Sequence, residues 1–314
     1  MKYLMNGVDG KLGSVAANEL LKLVDAKDCI FCAPALERIP EDCMKAWKDA
    51  GVEIREASYD NYDQMVEAYQ GADRMLLISS WAIGETRKNQ HRNAIKAAKA
   101  ANVKHIVYTS FNGAEIAEDT PLIAQDHRDT EMAIFESGLS WNLQRNMLYY
   151  DNPILMFYPL AVLKNNCEWM SNMYGKKCAY VARTDCSKAA AALLAGKGEN
   201  NKAYTITGPE MLSEAELFAK IDEQTGYHIK YGNCSTEELY EYFAKRGVPK
   251  TIHGDFSKSI FPPGICSDDL VGNNASIGSG HFEKITNDFE LLTGQKPTKI
   301  EDGIAKYIHL LPHK

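Results

Sequence analysis

Two rhythms of hydrophobic and polar positions alternate along the first half of the chain. Short apolar runs at 3–6, 29–32, 74–79, 105–109 and 140–144, and an alternating run at 52–56, predict strands. Between them lie segments with helical spacing. Leu12, Val15, Ala16, Leu20 and Leu23 fall on one face of a helix predicted over 12–24. Further helices are predicted over 40–50, 62–69, 85–101 (rich in Ala and Lys) and 126–136. Strand–helix alternation of this kind predicts an α/β fold, a doubly wound parallel sheet with helices on both faces. After Arg145 the rhythm breaks. Residues 147–183 are irregular and aromatic, followed by a helix at 186–195, a strand at 203–207 and helices near 214–224 and 236–245. A Gly/Ser/Pro-rich stretch spans 254–280, and a last helix is predicted near 282–292.

Composition narrows the class. The chain has 314 residues, 45% hydrophobic and 25% charged, as in ordinary globular proteins. Lys and Arg number 35 against 42 Asp and Glu, a net charge of −7 with no basic block, so a nucleic-acid partner is not expected. The most apolar stretch, 147–163, is interrupted by Asp151, Asn152, Pro153 and Pro159, so an ordinary membrane span is not expected either. The first residues carry no export pattern. The eight cysteines are therefore expected as reduced thiols of a cytoplasmic protein, with no metal site. Cys29 and Cys32 stand three apart on a predicted strand and would face opposite ways.

The first strand runs into Gly7-Val8-Asp9-Gly10-Lys11-Leu12-Gly13, a G-x-x-G-x-x-G between strand and amphipathic helix. Glycines there permit a tight turn and close approach of backbone to a pyrophosphate, and the helix start offers unpaired N–H groups to its oxygens. Gly7, Asp9, Gly10, Lys11, Leu12 and Gly13 are the first candidate cofactor contacts. A plain strand–helix turn is the other reading.

Several stretches carry a resemblance over essentially the whole chain. They are the glycine motif, Glu56-Ala57-Ser58-Tyr59-Asp60, residues 71–80, residues 90–99, His105-Ile106-Val107-Tyr108-Thr109-Ser110 and Leu143-Gln144-Arg145-Asn146. Looser matches are Ala182-Arg183-Thr184-Asp185 and Tyr204-Thr205-Ile206-Thr207-Gly208. In these the sequence resembles the NmrA-like branch of the atypical short-chain dehydrogenases/reductases, and within it the type 2 NAD(P)H:quinone oxidoreductases. The resemblance implies a Rossmann-type domain over 1–146, its sheet completed by about 183–208. Residues 147–182 and 209–314 would form a smaller, discontinuous α+β substrate lobe. Ligands would lie at the carboxyl ends of the strands, at Gly7, Ser79-Ser80-Trp81, Thr109-Ser110-Phe111 and Arg145-Asn146-Met147. By the same resemblance Asp60 lies near the adenine, Ser79 and Ser80 near the cofactor ribose, and Thr109 and Arg145 near the nicotinamide.

Two departures matter. The quinone reductases carry an Arg at the end of the second strand, where it holds the 2′-phosphate of NADPH; here Cys32 and Ala33 stand there. Asp9 would also repel a phosphate, although Arg38 and Lys11 are close in sequence, so the lean is towards NADH over NADPH. The second departure is catalytic. No Tyr-x-x-x-Lys exists between Tyr108 and Tyr149; the equivalent helix carries His127-Arg128-Asp129-Thr130-Glu131. His127 and Glu131 share a helix face, and a neighbouring carboxylate would raise the imidazole pKa into a useful range. A solvated surface pair is the alternative. Tyr149 and water are other proton donors, and Ser110 and Asn146 are candidates to stabilise a developing oxyanion.

Residues 147–174 hold ten aromatics and methionines in 28, against 41 in 314 overall. Phe111, Asn146, Met147, Tyr150 and Trp169 are candidate walls for a flat ligand. The core of a second lobe or a subunit contact, such as a homodimer, explains the same composition. The reading that follows is an NAD(P)H-dependent, flavin-independent reductase acting on a small planar conjugated carbonyl compound. The acceptor would be a quinone or the C=C of an enone, flavonoid-like compounds included. The alternative is an NmrA-like redox sensor that binds the dinucleotide without turnover.

Overall fold

The computed structural model describes residues 1–116 and 122–314. The strands are β1 (Tyr3–Asn6), β2 (Cys29–Ala33), β3 (Glu53–Glu56), β4 (Arg74–Leu77), β5 (His105–Phe111), β6 (Ser140–Asn146), β7 (Glu168–Ser171), β8 (Lys202–Ile206) and β9 (Lys230–Asn233). Helices α1 (Gly13–Leu20), α2 (Glu41–Ala50), α3 (Tyr62–Ala68), α4 (Glu85–Ala100) and α5 (Leu122–Ser137) alternate with the first six strands. The later helices are α6 (Tyr158–Lys164), α7 (Arg183–Leu194), α8 (Glu214–Thr225), α9 (Thr236–Ala244), α10 (Ser267–Gly278), α11 (Asp288–Thr293) and α12 (Ile300–Tyr307).

Seven strands form one parallel sheet in the order β3-β2-β1-β4-β5-β6-β8, which is the doubly wound Rossmann-like arrangement the alternation predicts. The chain winds outward from β1 to β3 and returns to β4 on the other side of β1. The strand order therefore reverses between β1 and β4, and a crevice opens at their carboxyl ends. Alternate side chains enter different layers. Leu4, Ile30, Cys32, Met75, Leu77, Ile106 and Tyr108 pack towards α3 and α4. Met5, Phe31, Leu76 and Val107 pack towards α1 and α7. Strands buried on both faces read as continuous apolar runs, which is why they were legible.

The second part of the chain adds the small parallel sheet β7–β9 and an aromatic core. Trp169 is 2% exposed and meets Phe157, Phe218, Phe243 and Phe261 at ring-centroid distances of 5.5–6.5 Å. Its indole N–H donates to Glu214. The aromatic-rich segment is thus largely core, and Trp169 does not line a ligand pocket.

Several elements differ from their sequence expectation. The first helix stops at Leu20, because Lys22 and Leu23 close tight turns on Glu19 and Leu20. Within 254–280 lies α10, whose Gly, Ser and Asn hide its helical tendency; burial of Leu270, Val271 and Ile277 holds it. The last predicted helix shrinks to α11. Residues 281–286 instead run as a strap across the ends of β5, β6 and β8. Phe282 packs on Phe111 at 5.7 Å, the Asn112 amide donates to the His281 carbonyl, and Thr286 bonds both Thr205 and Thr207. Among the described residues no helix is long and apolar enough to cross a membrane.

Candidate active site at the strand ends

The glycine turn sits at the point of strand reversal. Gly7 has φ +73°, a conformation that disfavours side chains. A Cβ on Gly13 would lie 2.0 Å from the Gly7 carbonyl oxygen, so Gly13 is what lets α1 press against the turn. A Cβ on Gly10 meets only that same oxygen, at 3.4 Å, so the outer side of the loop is open. No side chain caps α1, whose N-cap position is held by Leu12. Within the first turn the Ser14 N–H donates to the Gly10 carbonyl at 2.9 Å, but no side chain competes for the helix start, the end of a helix that attracts phosphate oxygens.

Asp9 leaves the turn towards β2 and pairs with Arg38, Nε to Oδ2 at 2.8 Å; Asp9 is nearly buried and Arg38 largely exposed. Lys11 is exposed. Cys32, expected beside the cofactor, is still a sheet position and points into the layer under α3. Burial pushes its thiol up to about 12. It cannot touch a ligand at the strand ends. Cys29 points into the opposite layer, and all eight cysteines are free. Among the described residues no cluster of three or more His, Cys, Asp or Glu is arranged to hold a metal.

The turn after β4 is pinned by three side chains from three elements. Tyr59 donates its hydroxyl to the Ile78 carbonyl at 2.6 Å, Ser79 N–H donates to Thr109 Oγ1 at 2.8 Å, and Ser80 N–H donates to His91 Nε2 at 2.9 Å. Ser80 Oγ is buried with no protein partner, as are Asn6 Oδ1 at the end of β1 and Asn112 Oδ1 just past β5. Orphaned polar atoms at three neighbouring strand ends, beside an uncapped helix, fit a hydroxyl- and phosphate-bearing ligand. Asp60 is exposed and accepts from Gln90 at 2.8 Å. Trp81 follows Ser80 at the rim with 79% of its surface exposed.

The catalytic candidates fare differently. Glu131 does not face His127. It accepts the Ser110 hydroxyl at 2.6 Å and two bonds from the Arg145 guanidinium at 3.0 and 2.7 Å. The Arg145 side chain also approaches Glu115 at 3.6 Å. Ser110 and Arg145 therefore belong to a polar cluster between the sheet and α5. His127 is buried, stacks on Phe111 at 5.9 Å and shares a hydrogen bond of 2.7 Å between its Nδ1 and the Tyr108 hydroxyl. Burial, helped by Arg87 and His91, pulls its pKa well below the ordinary value. The expectation of an imidazole raised by Glu131 is thus overturned. Desolvation dominates, and the carboxylate has other partners.

Tyr149 is half-buried just past β6. Its oxygen accepts from Asn146 at 3.0 Å, and the Arg183 guanidinium lies 5.2 Å from the ring centre. Met147 and Tyr150 are buried, Tyr150 so tightly that a Cβ on Gly303 would lie 2.5 Å from its ring. Neither presents an open wall. Sequence reasoning missed His91 and Tyr59, whose parts depend on contacts across the fold. The aromatic and His positions within the matched segments were the available signal.

Residues 7–157 match a family model described as NAD(P)H-binding. The chain is 32% identical over 246 residues to quinone oxidoreductase 2 of Escherichia coli, covering 78% of this chain and 82% of that one. It belongs to the NAD(P)H-binding, NmrA-like family. An NmrA-like family domain-containing oxidoreductase of Aspergillus flavus is 26% identical over 98% of this NmrA-like chain and 95% of its own. Among solved structures, the NADPH-dependent quinone oxidoreductase of Escherichia coli complexed with NADPH superposes with a TM-score of 0.82. It is 27% identical and covers 96% of this chain and 98% of that one. The matched stretch, 7–157, contains the glycine turn, the start of α1 and the orphaned atoms at the ends of β4 and β5; the Asn6 atom at the end of β1 directly precedes it.

Proposed function

We propose that this NmrA-like protein is an NAD(P)H-dependent oxidoreductase that passes hydride directly to a planar conjugated carbonyl acceptor, a quinone or an enone, without a flavin. The observation that carries this reading is Trp81. It directly follows Ser80 in the turn after β4, and its indole is 79% exposed. An exposed flat apolar side chain next to a cofactor site suits a flat acceptor that stacks on it. The quinone reductases among the relatives support the same class.

The backbone N–H groups of the α1 start would hold the pyrophosphate, and Ser79, Ser80 and Thr109 the nicotinamide ribose. The bound nicotinamide supplies hydride. This chain's residues fix the distance and angle at which the acceptor meets it, which is where much of such a rate arises. Reduction of a quinone or enone leaves a stabilised oxyanion that tolerates a weak donor. Tyr149 is the favoured proton source. Asn146 leaves the phenol proton uncommitted, and burial keeps that phenol protonated, its pKa raised well above the ordinary value. Ser110 spends its proton on Glu131, and His127 is a buried neutral ring. NADH is the favoured cofactor, because Cys32 offers nothing to a 2′-phosphate and Arg38 is engaged by Asp9.

The test is cofactor oxidation with benzoquinone- and chalcone-type acceptors. Turnover supports the reading. Tight dinucleotide binding without turnover on any acceptor would favour a redox sensor.

A further inference from the structure

His91 lies fully buried on α4 and takes no part in the chemistry just described. Its backbone partner allows only one neutral tautomer. A backbone N–H can only donate, so the Ser80 amide fixes Nε2 of His91 as the acceptor, at 2.9 Å. A neutral ring then carries its proton on Nδ1, which lies 2.9 Å from Thr130 Oγ1. Thr130 in turn sends its own proton to the Asp126 carbonyl at 3.0 Å, leaving its oxygen free to accept. Tyr59 and Tyr108 close on the ring edge-on, at 6.1 and 5.5 Å, and the Tyr108 hydroxyl lies 3.4 Å from Nδ1 as a second, longer partner. Burial first, and Arg87 second, favour the neutral ring.

We propose that His91 is a positioning residue for the cofactor. Held by Thr130 in the Nδ1–H tautomer, it fixes the Ser80 peptide so that the unpartnered Ser80 hydroxyl faces the dinucleotide ribose. The proposal rests on the NAD(P)H reading above. Its physical basis is that a buried N–H without an acceptor is costly. Removing Nε2 would turn the Ser80 peptide towards another acceptor and carry the hydroxyl with it. Tyr59 and Thr109 pin the preceding carbonyl and amide, so His91 holds the third and last point of the turn.

Two substitutions separate positioning from packing. In H91Q the amide oxygen reaches about as far as Nε2 and can still accept from Ser80. In H91N the amide reaches only the Nδ1 position and keeps the Thr130 and Tyr108 side while losing Ser80. We expect NADH and NADPH dissociation constants within about threefold of wild type for H91Q. For H91N they should rise about tenfold, roughly 1.4 kcal/mol. Nitrogen NMR of the wild-type imidazole should show a protonated Nδ1 and a bare Nε2 at neutral pH, whatever the fate of the variants. Equal affinities in H91N and wild type, equal losses in the two variants, or a protonated Nε2 would each overturn the proposal. If the wild type binds neither dinucleotide, the cofactor reading itself fails. If it binds and H91N binds equally well, only this inference fails.

Discussion

Asp9 and Arg38 form an ion pair of 2.8 Å across the rim of the glycine turn, one carboxylate from the turn and one guanidinium from beyond β2. The pair cancels the repulsion that Asp9 alone would exert on a phosphate, and it occupies the cation that a 2′-phosphate would seek. D9N should free Arg38 and improve NADPH affinity about tenfold with little change for NADH. R38A should weaken NADPH more than NADH, since a bare Asp9 then faces the phosphate. Calorimetric titration of both cofactors checks this. Equal shifts for the two cofactors would place the pair outside the adenosine end of the site.

Gly10 and Gly13 should separate binding from folding. G10V meets only the Gly7 oxygen at 3.4 Å, so it should fold, while its branches fill the space a pyrophosphate needs. Dinucleotide affinity should fall by more than tenfold. G13A drives a Cβ to 2.0 Å from the Gly7 oxygen, and backbone must move. A loss of about 1–3 kcal/mol or more is expected on denaturant unfolding. A folded G10V protein with unchanged affinity would refute the phosphate cradle.

Tyr149 is tested by Y149F, which keeps the ring under Arg183 and removes only the hydroxyl. Turnover should fall about 10²-fold, the lower end of general-acid effects, with cofactor affinity within threefold of wild type. H127A should act mainly through stability, because it removes the shorter partner of the buried Tyr108 hydroxyl and leaves it His91 Nδ1 at 3.4 Å. Its cost is about 1–3 kcal/mol. Steady-state kinetics and urea unfolding on both variants distinguish the roles. If H127A instead lowers turnover 10²-fold at unchanged stability, the proton passes through His127.

Glu214 gives a pH signature in the second lobe. It is buried at the start of α8 and accepts from Trp169 at 2.9 Å and Tyr231 at 3.0 Å, yet burial pushes its carboxyl up to about 7 from an ordinary 4.5. The folded state therefore keeps a proton that the unfolded chain releases. That contribution is complete below about pH 4.5 and is lost as pH rises through about 7, up to roughly 3 kcal/mol in all. E214Q should gain stability relative to wild type across that window. A pH-independent difference between the two in urea titrations would show that Glu214 is already ionised in the fold.

The first half of the fold was legible because its inner strands, such as β2 and β5, are buried on both faces, and its helices keep regular apolar spacing. Ile30, Phe31 and Cys32 show the limit of that legibility: the run announces a strand but not which side chain reaches the carboxyl ends of the sheet. The glycine turn was readable because backbone geometry demands glycine at Gly7 and Gly13. The fates of His127 and Glu131 were not. Helix spacing puts them on one face, but Ser110 and Arg145 on neighbouring strands outcompete the pair, and those contacts exist only after folding. Trp169 and its neighbours likewise read as ligand wall or lobe core with equal ease until Glu214, Phe218 and Phe243 closed around the indole.

Hydride transfer to a planar conjugated acceptor is tested by single-turnover oxidation of protein-bound NADH or NADPH. The reaction should be run on metal- and flavin-free protein. Four conditions make a matched panel: a quinone, a chalcone-type enone, a saturated aryl ketone, and a secondary alcohol with the oxidised cofactor. Rapid oxidation by the quinone or the enone is expected, slowed when Trp81 is replaced by Ala, with no reaction of the ketone or alcohol. Efficient reaction of the ketone or alcohol with none of the quinone or enone, or no oxidation by any acceptor despite tight binding, would contradict it.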